Sequence, residues 1–330
     1  MAINVTKPSV NLREKLNELE TNKGLKGNEI LQAETAQEVR SLIGAGRKNL
    51  IINGGFDVWQ RGTSFSGTSA QYTADRWTTW TTLDISVDKT SDGALLTHPS
   101  TESLLEYRME DKDTAKVRGN TVTLSVEATL GTSIGCQLYL YARNSSGGWY
   151  WGGGAAQRVV VDSSGKHSAT FDIPDDVGID TLRLRISNHN TVAYQSGTIT
   201  IHTVQLELGS VATDFEHRSY GEELALCQRY FCHSGGDGVI PSLTTGPSGT
   251  HTHCLVVDIG DGSIPSGAFP VEMRANPTIT SGRLYTYNWG VYKNVTYANA
   301  TKGGIWRIGH DGGYSTGTPY WYVYIADAEL

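Results

Sequence analysis

Charge is scarce in this chain: Asp, Glu, Lys and Arg make up 18% of its 330 residues, against the roughly 25% usual in globular domains. The 27 basic residues are outnumbered by 34 acidic ones, which argues against a surface of clustered Lys and Arg that tracks nucleic-acid phosphates. No run of 18 apolar residues occurs, so no membrane-inserted helix is expected. The opening MAINVTKPSVNLREKL lacks the apolar core of a secretion signal, and assembly in a cytoplasm is the expectation. Cysteine is limited to Cys136, Cys227, Cys232 and Cys254, with no CxxC pair. These read as buried thiols of a reducing compartment rather than as staples or zinc ligands. Catalytic signatures are missing too: there is no GxSxG elbow, HExxH, P-loop or β-helix repeat. Carboxylates are numerous enough to supply a glycosidase pair, but the expectation is a non-enzymatic protein.

What is abundant is glycine (38), tyrosine (16) and tryptophan (8). β-Branched and aromatic residues suit pleated surfaces and glycine marks turns, so the fold class is mostly β. Residues 1–48 differ: they hold no aromatic residue. Leu12, Leu16 and Leu19 follow a helical seam rhythm behind the capping-box pattern of Asn11 and Glu14. A second helical stretch carries Val39, Leu42 and Ile43 behind Thr35 and Glu38, and Gly44 and Gly46 close it. Helices this short are marginal alone, so their apolar stripes are expected either to pair with sister subunits or to lie as a hairpin on the first β-domain. The segment is read as a short helical anchor that oligomerises, a trimeric coiled coil being one form.

From Asn49 onward short alternating runs separated by turn signals recur at the 8–12-residue spacing of a sandwich. Residues 49–208 read as one jelly-roll β-sandwich, 209–233 as a linker with a helix, and 234–330 as a second, C-terminal β-sandwich. In QLYLYAR, Leu138 and Leu140 face one way and Tyr139 and Tyr141 the other. Ser219 and Glu222 form a capping box for the one clear helix after residue 48, whose face is Leu224, Cys227, Tyr230 and Phe231. The last strand, YWYVYIADAEL, is rich in large side chains and is expected to be built into a sheet.

Several stretches resemble tail-fibre and related receptor-binding structural proteins of tailed bacteriophages: NLIINGGFDVWQR at 49–61 with YTADRW at 72–77, QLELGSVATDFEHRSYGEELALCQRYF at 205–231, and FPVEMRANPTIT at 269–280 with ADAEL at 326–330. The opening residues resemble the attachment segments of such fibres. The Asn53 to Gly62 stretch also resembles the first strand of carbohydrate-binding jelly-roll modules, in scaffold residues. The resemblance implies a homotrimer assembled in the host cytoplasm and located in the virion. It also implies an N-terminus that engages other tail or baseplate proteins, and β-domains that meet host-surface glycan. A purely architectural collar, baseplate or capsid-attached fibre is the alternative, and a free carbohydrate-binding module is a third.

Glycan recognition lays a sugar face on an aromatic plane while amides and charges read its hydroxyls. The candidates are Trp149, Tyr150 and Trp151 in the GGWYWGGG stretch, and Trp289, Tyr292 and Trp306 in the aromatic-rich C-terminal region; packing and subunit contact are the competing roles for each. Trp59 and Trp77 read as core, and Asp75-Arg76 as an ion pair or turn contact. His251 and His253, two apart on a strand, are weak metal candidates. The acidic turns around Asp172, Asp175, Asp176, Asp180, Asp258 and Asp261 have the oxygen chemistry of calcium without the order of a calcium loop.

Overall fold

The computed structural model describes residues 48–67, 70–79, 85–132, 135–143, 149–152, 157–189, 193–233, 255–258, 267–286, 292–310 and 319–329. Residues 1–48 and 49–330 form two compact units. The readings of Leu12, Leu16, Leu19, Val39, Leu42 and Ile43 lie outside the described residues.

Unit 49–330 is mostly β and antiparallel, with two helices among the described residues. In chain order its first strands are β1 (Ser64–Phe65), β2 (Trp77–Thr79), β3 (Ser86–Thr90), β4 (Gly93–His98) and β5 (Leu104–Arg108). After helix α1 (Asp111–Val117) come β6 (Thr121–Leu130), β7 (Cys136–Arg143), β8 (Trp149–Gly152), β9 (Arg158–Val161), β10 (Gly165–Asp172), β11 (Thr181–Ser187) and β12 (Gly197–Leu208). They make two sheets. One runs β1-β3-β4-β12-β6-β10, and the other β2-β5-β11-β7-β8, with β9 also paired to β7.

Alternation explains why the two sheets share one core. Leu124 and Val126 of β6, Ile199 and Ile201 of β12, and Leu96 of β4 are buried with Leu138 and Leu140 of β7 and Leu182 and Leu184 of β11. Each such side chain taken out of water stabilises by about 1.5–3 kcal/mol. Trp59 and Trp77 are buried as expected, and the Trp77 ring stacks on Phe56 at 4.9 Å. Gly54 is required by a close approach: a Cβ there would lie 2.3 Å from the Val204 carbonyl oxygen of β12.

Helix α1 corrects the expectation of a single helix after residue 48. Its sequence DKDTAKV buries only Thr114 and Val117, so it lacks an apolar stripe to reveal it; acidic residues in its first turn and Lys116 in its last suit the helix dipole. Helix α2 (Tyr220–Gln228) carries the expected capping box between Ser219 and Glu222. Its Cys227, with Tyr230 just beyond, joins the core of the first two sheets.

The remaining strands are β13 (Phe231–His233), β14 (Leu255–Asp258), β15 (Gly267–Ala268), β16 (Thr278–Thr286), β17 (Tyr292–Thr301), β18 (Gly304–His310) and β19 (Pro319–Asp327). They form one seven-stranded sheet in the order β13-β19-β16-β17-β18-β15, with β14 paired to β19. Among the described residues this region is one sheet, so a second facing layer of the expected C-terminal sandwich is not seen there. Its small core gathers Cys232, Phe269, Met273, Ile305, Tyr324, Ala326 and Ala328.

Candidate functional site

Two polar-aromatic constellations stand out among the described residues of unit 49–330. One is sealed and one is partly open.

The sealed one is a joint between the two-sheet region and the C-terminal sheet. Asp75 is fully buried and accepts from the Gln60 backbone N–H (2.6 Å) and side-chain amide (2.8 Å). Arg61 stands 3.6 Å from Asp75 and 3.4 Å from both Asp327 and Glu329, with its guanidinium over the Phe231 ring. Arg76 pairs with Glu329 and stacks over Tyr230 at 3.6 Å. Asp75 and Arg76 are thus both structural, as expected, but each has its own partner. Tyr230 donates to Glu110 at 2.5 Å, and Arg229 and Arg274 approach the same carboxylate. Asn53, held at φ +57, donates to the Val58 and Asp75 carbonyls and accepts from the Val58 N–H. Its own N–H donates to Glu223 of α2 at 2.6 Å. Burial raises Asp75 to about 6, with Arg61 and the Gln60 bonds opposing it. Every stretch from residue 49 onward that carries the family resemblance contributes to this joint or to the cores beside it.

The open constellation is the outer face of the second sheet, where strands β5, β11 and β7 lie side by side. Register sets Arg185 opposite both Glu106 and Tyr139, and Arg183 opposite both Arg108 and Tyr141. With Leu182 and Leu184 inward, these side chains point out of the core together. Glu106, with no exposed side-chain surface, accepts from Tyr141 (2.5 Å), Arg185 (2.7 Å), Arg108 (2.8 Å) and Arg183 (3.1 Å). Burial alone would raise its pKa. The Tyr141 hydroxyl and the Arg185 guanidinium outweigh burial and hold it below the usual glutamate value. Tyr139 and Tyr141 lie 6.2 Å apart, with Arg185 over Tyr141 at 4.6 Å and Arg158 over Tyr139 at 5.8 Å. Arg158 donates to Gln137 at 2.8 Å. Tyr194, 38% exposed, continues the face: burial and then the nearby Glu102 carboxylate raise its pKa, with Tyr139 and Arg158 within electrostatic reach. Its ring packs edge-on against His189 at 4.8 Å.

The face therefore has a buried floor of Glu106, Tyr141 and Arg185, and a half-buried to exposed rim of Tyr139, Tyr194, Arg108, Arg143, Arg158 and Arg183. Such a surface offers aromatic planes beside planar, multi-donor cations.

The 149–151 aromatics lie on β8, next to β7 of this same sheet. Trp149 is in register with Arg143 and Trp151 with Ala142, with Tyr150 at the irregularity between them. Gly152 (φ +80) is needed there, because a Cβ would come within 2.5 Å of the Leu140 carbonyl oxygen. Tyr292 lies on β17 opposite Tyr285, and Trp306 on β18, both in the C-terminal sheet. Trp289, His251, His253, Cys254 and Asp261 lie outside the described residues. Among the described residues no group of three or more His, Cys, Asp or Glu is placed to hold a metal; Asp172 accepts the Thr121 hydroxyl and Asp176 the Gly178 N–H. Cys136, Cys227 and Cys232 are free and buried, and burial pushes the thiols of Cys136 and Cys232 up to about 12.

Sequence reasoning placed the tyrosines on the face opposite Leu138 and Leu140 but passed over Arg183, Arg185, Glu106 and Tyr194. The signal was present in TLRLRIS and LLEYR, where charge alternates with leucine or tyrosine at period two.

No family model matches the sequence, and no curated protein matches it. Among solved structures, the chain is similar to the enzymatically active domain of tailspike protein 4 of bacteriophage CBA120, at 14% identity and TM-score 0.30, covering 48% of this chain and 21% of that one. It is also similar to the C-terminal family 22 carbohydrate-binding module of Clostridium thermocellum Xyn10B, at 17% identity and TM-score 0.31 over 46% of this chain and 98% of that one. The CBM22-1 xylan-binding domain of Paenibacillus barcinonensis Xyn10C matches at 13% identity and TM-score 0.30, covering 46% and 99% of the two chains. Likenesses of this size assign no activity or ligand to the chain.

Proposed function

We propose that this chain is a receptor-binding subunit of a bacteriophage tail fibre, a homotrimeric virion protein that holds host-surface polysaccharide on the outer face of its second sheet. The observation that carries the reading is the row of Tyr139, Tyr141 and Tyr194 set among guanidiniums and carboxylates on one sheet face. A sugar ring stacks on a half-buried tyrosine while the charged groups take its hydroxyls. The phage assignment rests on the sequence stretches described above. In this reading the two-sheet region is a jelly roll of the carbohydrate-binding kind, and the protein is not an enzyme.

The test is binding of the full chain to a panel of bacterial surface polysaccharides, alongside Tyr139→Ala. Binding that falls about tenfold in the variant, with an unchanged melting curve, is expected for loss of one stacking platform. Absence of binding to any surface polysaccharide would overturn the adhesin. Light scattering on the full chain tests the trimer, which a monodisperse single copy would refute.

An architectural role is the second reading, and the sealed joint favours it. Buried ion pairs crossing between two β-regions hold them at a fixed angle, as a spacer requires. A chain that incorporates into virions yet ignores every polysaccharide would belong to this class.

A further inference from the structure

We propose that the outer face of the first sheet carries a ligand site of its own, a groove that takes one neutral, hydroxyl-rich ring such as a single sugar residue. It is built from other residues than the second-sheet face and is independent of that reading.

Register builds the floor of the groove. On β6, Glu127 lies opposite both Lys166 of β10 and Thr203 of β12, and Ser125 lies opposite both Ser168 of β10 and Gln205 of β12. Val126 and Val204, one position away, enter the core, so these two rows lie on the other side of the sheet. An irregularity at His202 shifts the alternation of β12, so that Ile201 and Val204 are both buried and Thr203 joins the outer face.

The segment 210–216 walls this floor. Glu207 holds it, accepting from the Thr213 N–H at 2.8 Å and the Thr213 hydroxyl at 2.7 Å, and the Gln205 side-chain oxygen accepts from the Glu216 N–H at 2.9 Å. The groove between wall and floor has a volume of about 170 Å³, with Phe215 in its lining. The Phe215 ring is steadied by His217, which packs edge-on at 4.9 Å.

Neighbouring rows of this one face differ in how their polar groups are met. Next to the groove, the Thr123 hydroxyl donates to the Gly209 carbonyl at 2.8 Å and the Thr170 hydroxyl to the Ser210 carbonyl at 3.3 Å. In the groove, the hydroxyls of Ser125, Ser168 and Thr203 and the carboxylate of Glu127 make no hydrogen bond or ion pair to the protein among the described residues. Lys166 turns to Asp214 at 3.6 Å, both side chains being exposed, and the His167 ring meets the Ser163 carbonyl at 2.9 Å.

Ser125, Glu127 and Thr203 are half-buried, and a ligand that strips water from them must replace the hydrogen bonds it removes. Sugar hydroxyls donate to a carboxylate, accept from an ammonium and do both with a serine or threonine hydroxyl, while Phe215 gives the ring carbons an apolar neighbour. An apolar ligand would leave the floor unmet. An anion would face Glu127 and Asp214 with Lys166 as its counter-charge. The volume is below the roughly 300–1,000 Å³ of a drug-sized pocket, which suits one ring rather than a chain.

The experiment is saturation-transfer NMR on the full chain with glucose, galactose, mannose and N-acetylglucosamine, beside glucuronate and tetramethylammonium as charged probes. At least one neutral sugar is expected to bind with a dissociation constant on the order of 1 mM, and more tightly than either charged probe. Glu127→Gln and Ser168→Leu, on separate strands so that either can stand in should the other lose its fold, should each weaken that sugar by about tenfold at an unchanged melting curve. No binding of any neutral sugar, or tighter binding of a charged probe, would overturn the proposal. So would a sugar that both variants hold as well as the wild type does; if Tyr139→Ala then abolishes its binding, the sugar belongs to the second sheet and that reading stands.

Discussion

The sealed joint and the open face of the second sheet are built from the same residue types, and their chemistry diverges because of what surrounds them. In the joint, Arg61 and Arg76 are almost wholly buried and each has an acidic partner. On the face, Glu106 is just as buried and accepts from three guanidiniums and a tyrosine, while Arg108 and Arg183 keep a fifth or so of their side chains exposed. A buried charge must be answered internally, since leaving it alone costs several kcal/mol; a rim charge is answered in part by water. Residue identity alone does not separate the two regions here. Exposure does.

The hardest way to break this contrast is to unbalance the joint. Arg76→Ala leaves the buried Glu329 with Arg61 as its remaining ionic partner, 3.4 Å away, and is expected to destabilise the chain by about 3 kcal/mol in denaturant titration. A loss below about 1 kcal/mol would place the pair among ordinary exposed ones. Next comes Asn53→Ala, which strands the Val58 N–H and the Val58 and Asp75 carbonyls. It also puts alanine at φ +57, where asparagine is better tolerated. About 1–3 kcal/mol per stranded group is the relevant scale, read in the same titration. On the open face the expectation reverses: Tyr139→Ala should move stability by no more than about 1 kcal/mol, while polysaccharide binding falls by about tenfold in calorimetry.

The smallest net effect is with pH, because two buried groups oppose one another. Asp75 is raised from 3.8 to about 6, so the folded state holds its proton more tightly than the unfolded chain does. Its stabilising contribution is full below 3.8 and is lost as pH rises through about 6. His98, on β4, is lowered by burial from 6.5 to about 4, so its contribution is full above 6.5 and is lost as pH falls through about 4. Between pH 4 and 6 the two slopes cancel in part. Asp75→Asn should leave the His98 slope, stability falling with acid, and His98→Gln should leave the Asp75 slope, stability rising with acid. Denaturant midpoints across that range check both signs.

Much of this was legible before any coordinates. Period-two alternation in QLYLYAR put Leu138 and Leu140 on one face and Tyr139 and Tyr141 on the other, and Ser219 with Glu222 announced helix α2. Helix α1 was not legible, having no apolar stripe. The candidate aromatics were sought where they were densest, at 149–151 and in the C-terminal strands. The described face draws one tyrosine pair from β7 and its charges from β5, β7, β9 and β11.

The sequence by itself determined which residues alternate, where helix α2 is capped and which tryptophans seek the core, because each of these depends on neighbours a few positions away. Only the tertiary structure decided that β11 lies between β5 and β7, bringing Glu106 to Arg183 and Arg185 across nearly eighty residues, and that Glu329 returns to Arg76. Strand order and the pairing of buried charges are non-local choices, fixed by how the whole chain covers its apolar faces and balances the charges it encloses.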